Sequence, residues 1–244
     1  MVTSLHLSTA DGSPIANASE YRSIVGALQY VVITRTEIAF AVNRVCQFMQ
    51  NPLDTHFQAV KQILRYLQGS IDFGLRFTKA SRLNITAFAD ANSGSDLDDC
   101  RSTSGFCLFF GGNPVSWGSK KQSVVSRSTA EAEYRAVACA TSEVLWLFSL
   151  LQELHVSCDG TPVLWCDNSS AIAVSANPVL HSKFKQVELD LYFVREKVAA
   201  GVLMVNEVPA YEQIADLLTK PLSAPVFTRF RHQLAVVSAS SLIS

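Results

Sequence analysis

Two apolar, strand-like runs in this chain end in an acid. One is Leu-Asn-Ile-Thr-Ala-Phe-Ala-Asp (83–90), and the other is Val-Leu-Trp-Cys-Asp (163–167). If the two runs are neighbours in one sheet, Asp90 and Asp167 reach the same edge. Two further acids stand in helical settings: Glu133 in the first turns of a long periodic segment, and Asp216 in a short segment before Pro221. Helices carrying them can close a pocket for two divalent ions about 4 Å apart, an arrangement suited to phosphodiester hydrolysis. Hard carboxylate oxygens match Mg2+ or Mn2+ rather than a thiophilic metal. Each acid alone has an ordinary explanation. A strand-end Asp forms turns, a first-turn Glu beside Glu131 answers the helix dipole, and Asp216 shares a helical face with Glu212 and Lys220. The case therefore rests on all four together.

Composition narrows the alternatives. With 20 basic and 21 acidic residues the formal charge is -1, which argues against holding nucleic acid by bulk attraction and leaves only a local basic patch. Six cysteines occur without a Cys-x-x-Cys pair, so reduced thiols are expected rather than a zinc site. The N-terminus has neither a basic segment nor an apolar leader, and apolar stretches such as 25–33 are too short to span a bilayer. A soluble intracellular protein with no membrane partner is the expectation.

The hydrophobic period changes once along the chain. Residues 1–19 read as a flexible lead-in. Residues 20–70 carry helical spacing, clearest at Phe57, Val60, Ile63, Leu64 and Leu67 before Gly69. This small helical subdomain is expected to expose an apolar face that includes Ile24, Leu28, Phe40, Phe48, Ile63 and Leu67. From Ile71 the runs become short and β-branched or aromatic: 73–77, 83–89, 105–110 and 115–118. Ser128 with Glu131 forms a capping-box pattern that opens a long helix. A strand at 163–167, a helix from near Ser169, and a helix with the stripe Val187, Leu191, Val194 and Val198 follow. A strand at 202–208 and a short helix at 211–220 come last, ahead of a tail at 223–244. The succession predicts a mixed α/β fold of sheet and helices over 71–222.

Longer strings carry a family resemblance. They are Tyr-Arg-Ser-Ile-Val-Gly-Ala-Leu-Gln-Tyr (21–30), Ile-Leu-Arg-Tyr-Leu-Gln-Gly (63–69) and Arg-Ser-Thr-Ser-Gly-Phe (101–106). They continue with Ser-Trp-Gly-Ser-Lys-Lys-Gln (116–122), Ser-Thr-Ala-Glu-Ala-Glu-Tyr (128–134), Trp-Cys-Asp-Asn (165–168) and Gln-Ile-Ala-Asp-Leu-Leu-Thr-Lys-Pro (213–221). The chain resembles the C-terminal part of a copia-type retrotransposon Pol polyprotein, the end of its reverse transcriptase followed by its ribonuclease H domain. The resemblance implies a ribonuclease H-like fold with a mixed five-stranded sheet. It also implies hydrolysis of the RNA strand of RNA–DNA hybrids with two Mg2+ or Mn2+ ions. Asp90, Glu133, Asp167 and Asp216 are the implied catalytic metal ligands, and Glu131 is a neighbouring non-ligand. Residues 20–70 become the thumb or connection remnant of the polymerase, with the rest of the polyprotein as a possible partner. The Tyr-x-Asp-Asp turn of such polymerases does not occur, so polymerisation is not expected of this chain. Two departures stand out: Asn92 and Ser93 where the family usually has Asp and Trp, and Gln186 where it has His.

Phosphate contacts are expected from Arg101, Lys120, Lys121 and Arg127, from Lys183 and Lys185, and from the hydroxyls of Ser102, Thr103 and Ser104. Trp117 reads as a core residue, and His181 as a surface cap. The alternatives to a working nuclease are a catalytically inactive transposon remnant, which the departure at Asn92 and Ser93 favours, or a nucleic-acid-binding module.

Overall fold

The computed structural model describes residues 7–176 and 188–242. Its chain forms two compact units: Met1–Arg76 with Asp96–Cys100 and Lys220–Ser244, and Phe77–Ser95 with Arg101–Thr219.

The first unit is built on three N-terminal helices, α1 (Ala18–Val31), α2 (Ala39–Cys46) and α3 (Asp54–Gln68). Asn17 caps α1 by accepting from the Glu20 amide at 3.0 Å, which satisfies one of the donors a helix start leaves open. The core gathers Tyr21, Val25, Leu28, Val42, Val45, Phe48, Val60 and Ile63. Of the apolar face expected for this subdomain, Leu28, Phe48 and Ile63 are buried, while Ile24, Phe40 and Leu67 are half-buried. Charges inside this unit are paired. Arg35 meets Glu37 at 2.7 Å and donates to the Ser70 carbonyl at 2.9 Å, Tyr66 donates to the same Glu37 at 3.0 Å, and Arg44 meets Asp96 at 2.9 Å.

Strand β1 (Phe73–Leu75) belongs to this unit. The sequence pattern groups it with the strands that follow, but it pairs antiparallel with β7 (Val236–Ser238) as a separate two-stranded sheet. The last residues are not a plain tail either, since helix α7 (Ala224–Gln233) precedes β7. Pairing between strands so distant in sequence leaves no local signature, because a three-residue run of alternating pattern fits many partners.

The second unit holds a five-stranded sheet in the order β4-β3-β2-β5-β6. Its strands are β2 (Ile85–Asn92), β3 (Thr103–Phe110), β4 (Asn113–Lys121), β5 (Val163–Cys166) and β6 (Met204–Glu207). The β2–β3 and β3–β4 pairs are antiparallel, and β2–β5 and β5–β6 are parallel. Helix α4 (Thr129–Glu153) lies on β2 and β3, where Ala87, Ala89 and Leu108 meet Ala132, Ala136, Val137 and Ala140. Small residues on both faces let the helix backbone approach the sheet closely. Ser128 caps α4 by accepting from the Glu131 amide at 3.2 Å, as the sequence predicts. Helices α5 (Ser169–Ala176) and α6 (Glu188–Ala199) complete the layer. This is the ribonuclease H-like arrangement of a mixed five-stranded sheet with flanking helices, and the chain also has an N-terminal helical subdomain.

By length and composition alone α4 is long and apolar enough to cross a membrane, unlike apolar stretches such as 25–33. Its buried face is occupied by the sheet, with Tyr134, Val137 and Val144 in the core.

Candidate metal centre

The register of the sheet brings the first two acids together. Parallel pairing runs Thr86↔Val163, Ala87↔Leu164 and Phe88↔Trp165. The same offset, carried two residues on, sets Asp90 beside Asp167, and matched positions on parallel strands project to one face. Asp90 is 1% exposed. On its other side it pairs with Gly105 of β3.

Asp216 arrives on a different kind of element. The sequence predicts a short α-helix over 211–220; the structure has two 3-10 turns, Ala210–Glu212 and Ile214–Leu218. Pro209 starts the first turn, and extended backbone at Gln213 (ψ 93°) separates the two. Gln213 and Thr219 cap the second turn, three residues before and three after Asp216. Gln213, which is 0% exposed, accepts from the Ala215 amide at 3.2 Å and donates to the Ala89 carbonyl at 2.9 Å. The Thr219 hydroxyl donates to Asp90 Oδ2. Gly105 makes the approach possible: a Cβ there would meet Thr219 Cγ2 at 2.6 Å and Leu218 Cβ at 2.9 Å.

Carboxylate oxygens of Asp90, Asp167 and Asp216 thereby lie within 4.8 Å of one another. Glu133 joins from α4, buried, with Oε2 accepting from the Ala91 amide at 3.0 Å. Its ligand atom groups with those of Cys166 and Asp167 inside the same 4.8 Å limit. The concentration of negative charge is felt by the buried Cys166 thiol. Burial pushes its pKa well above the usual thiol range, and Glu133, Asp167 and Asp90 raise it further against a lowering contribution from the Asn168 backbone. Asp167 Oδ1 is shielded from solvent and has no hydrogen-bond partner among the described residues. Gathered carboxylates repel, and a shielded oxygen lacking a partner costs desolvation, so the donor set fits hard divalent cations.

Glu131 has different employment. Its Oε2 accepts from the Arg127 amide at 3.0 Å, and its Oε1 meets Arg135 at 3.0 Å, which closes the start of α4. Asp190 faces Arg135 at 3.6 Å, and its pKa is raised by burial against the lowering effect of that guanidinium.

The residues expected to hold phosphates divide. Lys120 and Arg127 are exposed, and Lys121 and Arg101 are half-buried. Lys120 and Lys121 line a cleft of about 300 Å³ together with Gln122, Arg135 and Asp190. The three hydroxyls are turned inward on β3 and its approach, with Ser102, Thr103 and Ser104 at 0%, 1% and 7% exposure. Ser102 Oγ accepts from the Gly94 amide at 3.1 Å, and Ser104 Oγ accepts from Gln122 Nε2 at 2.9 Å. They hold the strand in place rather than facing solvent. Lys183, Lys185, His181 and Gln186 lie outside the described residues. The sequence reading missed Gln213, Thr219, Asn92 and Gly105 as contributors; the three-residue spacing of Gln213, Asp216 and Thr219 is the signal that could have found two of them. Asn92, a departure from the family pattern, donates its amide to the Thr219 carbonyl at 3.4 Å, a bond that an ionised Asp could not make.

No protein-family model matches the chain. The retrovirus-related Pol polyprotein from transposon RE1 of Arabidopsis thaliana is 45% identical over 236 residues, which cover 97% of this chain and 16% of that polyprotein. The Pol polyprotein from transposon RE2 of the same plant is 44% identical over 237 residues, with the same shares. The one from transposon TNT 1-94 of Nicotiana tabacum is 38% identical over 201 residues, 82% of this chain and 15% of the polyprotein. The chain thus spans about 16% of the length of the two Arabidopsis relatives. Among solved structures, LC11-RNase H1 in complex with RNA/DNA hybrid is 16% identical, covers 56% of this chain and 94% of its own, and has a TM-score of 0.39. The foamy viral protease-reverse transcriptase in complex with RNA/DNA hybrid is 10% identical, covers 85% of this chain and 26% of its own, and has a TM-score of 0.47.

Proposed function

We infer that this chain, which belongs to the retrovirus-related Pol polyproteins of retrotransposons, is the ribonuclease H part of such a polyprotein and hydrolyses the RNA strand of RNA–DNA hybrids. The observation that carries the reading is the convergence of Asp90, Asp167 and Asp216 within 4.8 Å at one sheet edge, with Glu133 beside them. Asp90, Glu133, Asp167 and Asp216 are the residues that would hold two Mg2+ or Mn2+ ions. Bound there, such ions would supply an activated water and would stabilise the leaving oxygen. The chain's own contribution is to keep these carboxylates close and partly dry. Asp90 is held by Thr219 and Glu133 by the Ala91 amide, so neither has to reorganise when the cations arrive.

The hybrid would lie along the basic residues that remain accessible. Lys120, Lys121, Arg127 and Arg101 neutralise phosphates without reading bases, and 2′-hydroxyls near the cut distinguish the RNA strand. Lys183 and Lys185 extend this set in sequence. Residues 20–70 are read as the end of the reverse transcriptase portion and 71–222 as the nuclease portion, with the remaining polyprotein as partner.

The deciding experiment is cleavage of an RNA–DNA hybrid by the purified chain with Mg2+, beside its Asp90→Asn variant. RNA-strand cleavage by the wild type alone, with double-stranded DNA spared, supports the reading. Equal cleavage by both would show another site. No cleavage by either, from a folded chain that binds the hybrid, would make the chain an inactive nucleic-acid-binding remnant.

A further inference from the structure

We propose that Gln213 and Thr219 are positioning residues that clasp the Asp216 turn onto β2 at two points and so set the separation of Asp216 from Asp90; this rests on the nuclease reading above. The two points bracket Asp216 at equal sequence distance, three residues before and three after. At the first, the buried Gln213 amide donates to the Ala89 carbonyl, immediately before Asp90, while its oxygen accepts from the Ala215 amide. A single side chain therefore ties the start of the turn to the strand. At the second, Thr219 is 0% exposed, and its hydroxyl donates to Asp90 Oδ2 and lies 3.3 Å from the Asp216 carbonyl oxygen.

The consequence is orientation as well as position. A hydroxyl donating to a carboxylate fixes the plane of the group, as outer partners of metal ligands do. A five-residue 3-10 turn has weak internal hydrogen bonding and does not hold a carboxylate to the tolerance a two-ion site needs. The clasp supplies that rigidity from β2, the strand that carries Asp90. Gly105 leaves the room, since a Cβ there would strike Thr219 Cγ2 at 2.6 Å. Asn92 adds a third, longer tie from the same strand to the Thr219 carbonyl, at 3.4 Å.

The test uses the full chain and two substitutions of Thr219. Thr219→Val preserves shape and removes the hydroxyl; Thr219→Ser keeps the hydroxyl and removes a methyl. Mn2+ affinity is measured calorimetrically, and hybrid cleavage is followed against Mg2+ and against hybrid concentration. Thr219→Val is expected to weaken Mn2+ binding and lower kcat by roughly 10–100-fold, the usual range for an outer partner of a metal ligand, with KM for the hybrid unchanged. Thr219→Ser is expected to restore both. Gln213→Glu, which keeps the acceptor for Ala215 and loses the donor to Ala89, should fall in the same direction and serves if Thr219→Val does not fold. Wild-type Mn2+ affinity and kcat in folded Thr219→Val would overturn the clasp, as would a defect confined to hybrid KM or one that Thr219→Ser shares. A wild type that binds Mn2+ but cuts no hybrid would defeat the nuclease reading, while the affinity comparison still judges the clasp. A wild type that binds no divalent ion would overturn both.

Discussion

The helical unit and the metal centre of the five-stranded unit both draw charge out of water, and they do so in opposite ways. In the first, Arg35 is set against Glu37 and Arg44 against Asp96, each within hydrogen-bonding distance of its opposite. In the second, Asp90, Asp167 and Asp216 are gathered within 4.8 Å of one another, with Glu133 alongside. Paired burial is what stability selects, because the Coulomb attraction offsets part of the desolvation cost. Like charges gathered at the ends of strands oppose folding, and an arrangement of that kind persists where a ligand uses it. Substitution should therefore have contrary effects in the two places.

The largest effect is expected at Asp90. Asp90→Asn should lower hybrid cleavage by about a thousandfold or more, since stabilisation of several kcal/mol is forfeited at tenfold per 1.4 kcal/mol. The same variant should unfold at the wild-type temperature or above it in metal-free buffer, because one of the mutually repelling charges is gone and Asn can still accept from Thr219. A clear loss of stability on this substitution would mean that Asp90 is held by attraction, and the contrast between the units would fail.

Glu37→Gln should show the reverse pattern. Removing one partner of a buried pair leaves Arg35 uncompensated and costs about 3–5 kcal/mol. Thermal unfolding of the helical unit should shift accordingly. A variant as stable as the wild type would show that Ser70 and Tyr66 alone satisfy the guanidinium and its surroundings.

Divalent cations sharpen the contrast from the other side. Mg2+ or Mn2+ at a hundred times its dissociation constant should stabilise the wild type by about 2.7 kcal/mol, by mass action on the native state. Asp90→Asn and Asp167→Asn should lose most of that gain, and Glu37→Gln should keep it. Differential scanning measurements with and without the cation decide the matter; equal gains in all four proteins would place the cation elsewhere.

How much of this was legible depended on whether the signal was local. Asp90 and Asp167 were readable because each ends a short apolar run, and a parallel register carries that property to one sheet edge. The start of α4 was readable because Ser128 and Glu131 state it within four residues. The turn bearing Asp216 reads as an α-helix in sequence, since Glu212, Asp216 and Lys220 fit the helical period, whereas the structure has a short 3-10 turn capped by Gln213 and Thr219. Ser102, Thr103 and Ser104 read in sequence as phosphate contacts, but the packing of the sheet buries them. The β1–β7 pair was not legible, because its register is decided by packing rather than by anything in a three-residue run.

The smallest expected effect concerns the buried His56 of the helical unit, and it tests whether polar burial there depends on neutrality as well as on pairing. His56 is 0% exposed, stacks on Phe48 with ring centroids 3.8 Å apart, accepts from the Leu53 amide at Nδ1 (3.0 Å) and places Nε2 3.0 Å from the Ser8 carbonyl. Both contacts are met at once only by the neutral ring with its proton on Nε2. Burial lowers its pKa below 6.5, and Arg44 acts in the same direction, against raising contributions from the Ser8 carbonyl, Asp98 and Asp54. The unfolded chain therefore binds the proton first as pH falls. The contribution of His56 should be fully present above the unfolded value of 6.5 and decline as pH drops from there through the lower folded value. Thermal unfolding of the helical unit from pH 7.5 to 5 should show that decline, and His56→Gln should remove it while lowering stability throughout. A decline of equal slope in His56→Gln would assign the pH dependence to another group and leave paired charge as the only device that the helical unit uses.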